Sequence, residues 1–388
     1  MPTDLALTDT ALLALDAQGR QIVSVHCKRT YRISPQGMCS IADEQQPLLG
    51  LENDPPEPPR ETDVTPVKTG TDLIFIASAH PPSLGARSMS VRFGVNGAEW
   101  DYAVTGDRLC SYHGPGSISF SGPAPLDIMP LRYEHAYGGL DEHVSEPLPN
   151  HVVDFFKMRP GEYPRNPVGR GYVVYENAAA IEGLALPNIE HPRHRLTPQN
   201  LVVGGPQNWW RQPIPWSCDW FDKGWYPRVT YFGGLPEHLP DDDSMVAEVA
   251  MGLVAPRQNA RHAAMRLADA LDSRFTNAAS PSLVLPFLRG DERVLLEGVT
   301  PHGRLVVTLP GQPPAMFVRF EGRAYELRPT VHRVLISTEQ MGLYIVWHGA
   351  FPTPRQLPDR LPRQGDDPRM ELEGIEVFCD GKLTPPLV

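Results

Sequence analysis

No stretch of this sequence approaches the run of about 18 apolar residues that a membrane-spanning helix needs, so such a helix is excluded. Basic charge is in deficit: 35 Lys and Arg stand against 46 Asp and Glu, a formal net charge of −11. Binding to nucleic acid relies on Lys and Arg to displace counterions, and no basic patch is visible, so neither nucleic acid nor membrane is expected as a partner. Cysteine is sparse, with five residues scattered from Cys27 to Cys379 and no CxxC. That is the pattern of a reducing compartment, with thiols free and buried, so the expected location is cytoplasmic. The opening MPTDLALTDT carries acids and no basic n-region, unlike a secretory signal. No internal repeat of fixed period is present.

Proline is what the chain has in excess. Its 43 Pro among 388 residues are more than twice the usual share of about 5%. With 33 Gly, they imply many turns, loops and strand edges. A 41% hydrophobic content with seven Trp is enough for a sizeable core, so wholesale disorder is excluded.

The pattern predicts a mainly β fold, a β-rich α+β arrangement of antiparallel, sandwich-like halves. In residues 21–33, Val23, Val25, Cys27, Tyr31 and Ile33 fall on one side, with Arg29 the exception. Ser24, His26, Lys28, Thr30 and Arg32 fall on the other, which reads as a half-buried strand. Residues 11–16 suit its hairpin partner, and Asn96-Gly97 marks a hairpin between 88–95 and 99–105. Further strands are expected at 72–79, 283–287, 293–296, 305–309, 315–320, 325–327, 331–337, 343–347 and 374–379. One main helix is expected at 259–274, where Ala263, Leu267, Leu271 and Phe275 recur at i+4. The organisation divides into a β-rich region (1–125), a loop-rich, aromatic-rich centre (126–258), a helix with C-terminal strands (259–350) and a Pro-rich tail (351–388).

Catalytic and cofactor signatures are thin. Gly114-Pro-Gly116 lacks the third glycine of a phosphate cradle and is a turn. His191-Pro-Arg-His194 comes nearest to ligand spacing, but surface-loop histidines are the better reading, so no metal is expected. Ser119-Phe120-Ser121-Gly122 lacks the leading glycine of a nucleophile elbow. Cys27 lies on an apolar strand face, which favours burial over reactivity. The acid runs Asp141-Glu142 and Asp241-Asp242-Asp243, near a Trp-rich segment, leave a carbohydrate-active or other hydrolytic enzyme as the alternative. No catalytic residue and no cofactor is expected in the leading reading.

Seven runs in order carry a resemblance. LRYEHAYGGLDEH (131–143) supplies Tyr133, Glu134, Ala136, Tyr137, Gly138, Gly139 and Asp141. YPRNPVGRGYVV (163–174) supplies Asn166, Pro167, Gly169, Arg170, Gly171 and Tyr172, and ALPNIEHP (185–192) follows. PVKTGTDLIFIASAHPP (66–82), GDRLC (106–110), LRGDERVLLEGVTPHGRLVVTLPG (288–311) and VHRVLISTEQMGLYIVWHG (331–349) complete the set. Together they resemble the bacterial family called domain of unknown function 2169, over residues 15–350. Two places depart from it. Residues 207–232 lack the family's Gly-Thr, with Arg211, Asp219 and Trp225 as equivalents, and His348 stands where Arg is usual.

The resemblance implies a non-enzymatic, chaperone-like adaptor of type VI secretion. Such a protein holds a toxic effector, through its N-terminal region, and helps load it onto a VgrG-type spike or a PAAR-type tip protein. The same motifs are expected to act chiefly as a fold-defining knot of loops, in which Arg165 and Arg170 pair with Asp141 or Glu142. Trp210, Trp220 and Trp225, from a segment with nine aromatics between 209 and 232, are candidate anchors for the partner.

Overall fold

The computed structural model describes residues 7–16, 20–50, 62–65, 68–145, 159–228, 276–353 and 375–384. The expected helix at 259–274 lies outside them. The described residues are strand-rich, and their one α-helix is the single turn Ala178–Ile181.

The largest sheet has seven strands. Across it run Asp9–Leu15, Gln21–Ile33, Gly342–Pro352, Thr330–Ser337, Thr71–Ile76 and Val284–Leu285, with Cys39–Ile41 beside Gln21–Ile33. All pairs are antiparallel except Thr71–Ile76 with Thr330–Ser337. A second sheet orders Ile189–Glu190, Ala98–Thr105, Ser88–Val95, Arg293–Glu297 and Arg304–Thr308. A third holds Arg323–Glu326, Met316–Phe320, Ile375–Cys379 and Lys382–Leu383. Strands from the two ends of the sequence thus interleave in the two larger sheets, whereas the third is built from C-terminal strands alone. The Asn96-Gly97 turn takes positive φ at both residues, as a tight hairpin requires.

The apolar side of the central sheet follows the period-two pattern. Val23, Val25 and Cys27 are fully buried, with Ile345, Val334 and Phe75 on the same side of neighbouring strands. Phe75 stacks on Phe93 of the second sheet at 4.3 Å, and Phe351 meets Tyr325 of the third at 5.0 Å. Arg29, the exception in the pattern, is held by Asp9 and Asp380, each at 2.6 Å.

The opposite side corrects the half-buried reading. Ser24, His26, Lys28 and Thr30 are buried as well. Strand register lines up Lys28, Val346, Arg333 and Asp72 in one row across four strands. Asp63, from the loop that crosses this face, forms ion pairs with Lys28 (3.1 Å) and with Arg333. Lys68 pairs with Asp72 and donates to Asn277 Oδ1 at 2.9 Å. Asn277 in turn donates to Thr62 O and Thr65 Oγ1. The charges stay buried because each is closed on another, which is the condition for placing ions out of water.

Three histidines share that layer. His26 and His348 face each other across two strands, and the Ser24 hydroxyl bridges their Nε2 atoms at 3.0 and 2.9 Å. His332 sits at a register break between Val331 and Arg333 and stacks on His348 at 4.1 Å. A β-bulge re-aims a side chain in this way. Burial pushes all three imidazoles down, His348 to about 4, and their mutual repulsion lowers His26 and His332 further.

Candidate functional site

The motif runs meet as a knot of hydrogen bonds aimed largely at main-chain atoms. Tyr137-Gly138 pairs in parallel with Arg170-Gly171. Asn166 is fully buried, and its Nδ2 donates to Tyr133 O (2.8 Å) and Tyr137 O (3.0 Å). Gly139 takes φ +109°, and a Cβ there would lie 2.7 Å from the Gly169 carbonyl, so only glycine fits. The Asp141 carboxylate accepts from Val174 N (2.9 Å) and His143 N (3.0 Å). Arg170 donates to Glu134 O and to Asn188 Oδ1. Arg165 donates to Tyr163 Oη and to the Gln212 and Trp210 carbonyls. The expected pairing of these arginines with Asp141 or Glu142 is therefore not what forms: they donate to main-chain carbonyls, Tyr163 Oη and Asn188 Oδ1, and Arg170 lies 4.0 Å from Asp107. Pro167 sits at the half-buried start of the turn between Asn166 and Gly169.

A second knot joins the 106–110 run to the 185–192 run. Asn188 Nδ2 donates to Thr105 O and Asp107 Oδ1, and Arg108 pairs with Glu190 at 2.8 Å. Glu190 also accepts from Leu196 N.

The aromatic segment lies against both knots, and none of its three candidate anchors is exposed. Trp210, Trp220 and Trp225 are half-buried. Arg211 caps Trp210 at 4.7 Å and Arg333 caps Trp220 at 5.2 Å. Trp225 packs edge-on to Tyr133 and Phe221. Burial pushes the Asp219 carboxyl well above the usual carboxylate range, the Ser217 hydroxyl at 3.0 Å opposes that, and Glu134 adds to it. Asp241, Asp242 and Asp243 lie outside the described residues.

An open cleft of about 400 Å³ forms where these parts converge. Glu99, Trp100 and Asp101 of the second sheet line one side, His191, Pro192 and Arg193 another, and Trp216 completes it. Both indole N–H groups are already engaged, Trp100 with Ser282 O and Trp216 with Asp101 O, each at 2.9 Å. Both rings are buried, so they floor the cleft and leave its polar rim to meet a ligand. Glu99 and Arg193 are exposed, and Asp101 pairs with Arg92 at 2.7 Å. His191 is edge-on to Trp216 at 4.7 Å and accepts from Arg193 N through Nδ1. Burial, then the His194 and Arg193 charges, push its imidazole down to about 4, so it is neutral at pH 7. This corrects the surface-loop reading for His191; His194 is exposed. The sequence did not single out the cleft, because Glu99, Trp100 and Asp101 read there only as a strand.

The chain belongs to the family described as uncharacterized proteins conserved in bacteria, domain of unknown function 2169, which it matches over residues 18–348. No curated protein and no solved structure matches it. Among the described residues no helix is long and apolar enough to cross a membrane.

Proposed function

We propose that this protein is a non-enzymatic adaptor of type VI secretion. It binds a toxic effector in the cytoplasm and helps load it onto the VgrG-type spike or PAAR-type tip, with the cleft beside Trp216 as part of the docking face. The observation that carries this reading is how the polar motif residues are used. Asn166, Asn188, Asp141 and Arg170 direct their hydrogen bonds largely at main-chain atoms of neighbouring runs, so they build a frame rather than meet a substrate. Beside that frame lies a cleft floored by the buried Trp100 and Trp216 and rimmed by an exposed acid and an exposed base, a mixed polar surface that suits a peptide. Net charge of −11 favours a basic partner through long-range steering.

The partner's basic side chain lies over the rings next to Glu99, and the stable complex buries at least about 1,000 Å² in total, far more than the cleft alone. The test is co-purification of the full chain with the toxin and spike proteins encoded beside it, together with deletion of its gene. The expected results are a complex recovered by size exclusion and a fall in intact, delivered toxin in the deletion strain. Normal toxin levels and delivery, with no complex recovered, would remove the adaptor role.

A further inference from the structure

Two of the five cysteines come from opposite ends of the chain and meet in space. Cys27 lies in the strand Gln21–Ile33 and Cys379 in the strand Ile375–Cys379 of the third sheet. Both are buried. Asp9, on the edge strand paired directly with Cys27, brings a carboxylate oxygen 2.6 Å from the Cys27 sulfur. One ligand atom from each of the three lies within 4.8 Å of the other two.

We propose that Asp9, Cys27 and Cys379 form a binding site for a thiophilic divalent cation, zinc, which clips the C-terminal hairpin to the N-terminal strands. Tetrahedral zinc with Zn–S near 2.3 Å and Zn–O near 2.0 Å needs ligand atoms about 3.5–3.8 Å apart. All three lie within 4.8 Å of one another, and the Asp9 oxygen and Cys27 sulfur, 2.6 Å apart, must separate by about 1 Å to admit the ion. Two thiolates with one carboxylate form a donor set that suits zinc better than the harder cations. The surroundings fit. Arg29 donates to Asp9 Oδ1 at 2.6 Å and to Asp380, which fixes the carboxylate from outside, as ligating carboxylates commonly are. Its positive charge also offsets part of the negative charge that two thiolates and two aspartates gather. Thr384, buried, places its hydroxyl against the Cys379 sulfur and offers a neutral oxygen beside the pair.

Binding replaces the two thiol protons by the metal, so two protons leave for each ion taken up. Without a metal, the Asp9 carboxylate repels a thiolate at either cysteine. A dication reverses that repulsion and gathers all three groups.

The test uses the full chain, reduced and stripped of metal, titrated with cobalt(II) as a spectroscopic stand-in and then with zinc. The expected result is one cobalt per chain, a thiolate-to-cobalt charge-transfer band, release of two protons, and displacement by one equivalent of zinc. Cys379→Ser should abolish the band and weaken uptake by more than the ~10–100-fold that loss of an outer hydrogen-bond partner costs. Cys110→Ser should leave both unchanged. Should Cys379→Ser fail to fold, the stoichiometry, band and proton release of the unaltered chain decide the matter. Absence of cobalt uptake by the reduced chain overturns the site, as does a band that survives in Cys379→Ser. A Cys27–Cys379 disulfide in the isolated protein, with no metal uptake after reduction, overturns it too.

Discussion

The polar face of the central sheet and the cleft beside Trp216 are made of the same kinds of residue, and they differ in how their charges are closed. Under the sheet, Lys28 and Arg333 share Asp63, and Lys68 holds Asp72, all away from water. In the cleft, Glu99 and Arg193 are exposed beside aromatic rings whose N–H groups are already bonded. A closed network ties stability to the protonation of its members. Open groups next to apolar surface leave free energy to be gained by a ligand. The first region serves stability, and the second is where the proposed recognition would act.

The largest expected effect breaks the closed region. Asp63→Asn leaves Lys28 and Arg333 buried without their shared counter-charge and should destabilise the fold by about 3–5 kcal/mol, read from urea unfolding. Next comes acid. His348 is held near 4 by burial, against 6.5 in the unfolded chain. Between those values the unfolded state binds more protons, so stability is full above pH 6.5 and is lost as pH falls toward 4. The loss from His348 alone is about 3 kcal/mol, and His332, displaced in the same direction, adds to it. Unfolding free energies measured from pH 4.5 to 8 should rise with pH and then level off. A curve flat across pH 5–7 would contradict burial of neutral imidazoles. Asn166 in the motif knot sharpens the contrast, because its bonds are neutral. Asn166→Ala orphans two buried carbonyls and should cost about 2 kcal/mol, with the same decrement at pH 5 and pH 8.

Much of the frame was legible in the sequence. Alternation of β-branched residues gave 21–33 its limits, and Asn96-Gly97 fixed a hairpin, because both signals are local. Burial of the polar face was not legible, since period two reports which side a residue takes and not what covers it. The cover comes from Asp63, Lys68 and Asn277, distant in sequence. The bulge that turns His332 inward leaves no local mark either. For the candidate site, the motif residues were found and their grouping was not: Asn166 binds Tyr133 and Tyr137 across a loop. Trp220 drew notice as an aromatic anchor, yet Arg333 from a distant strand caps its ring. Cys27 and Cys379 escape any spacing rule because the fold alone brings them together.

The most direct test of the division between frame and cleft is Glu99→Lys in the full-length protein. Glu99 is exposed and supports no buried network, so unfolding free energy should stay within about 0.5 kcal/mol of the unaltered chain. Affinity for the effector that co-purifies with it, measured by calorimetry, should fall at least about tenfold, as reversal of a charge facing a basic partner group predicts. Unchanged affinity with unchanged stability would contradict the account and place recognition elsewhere on the molecule.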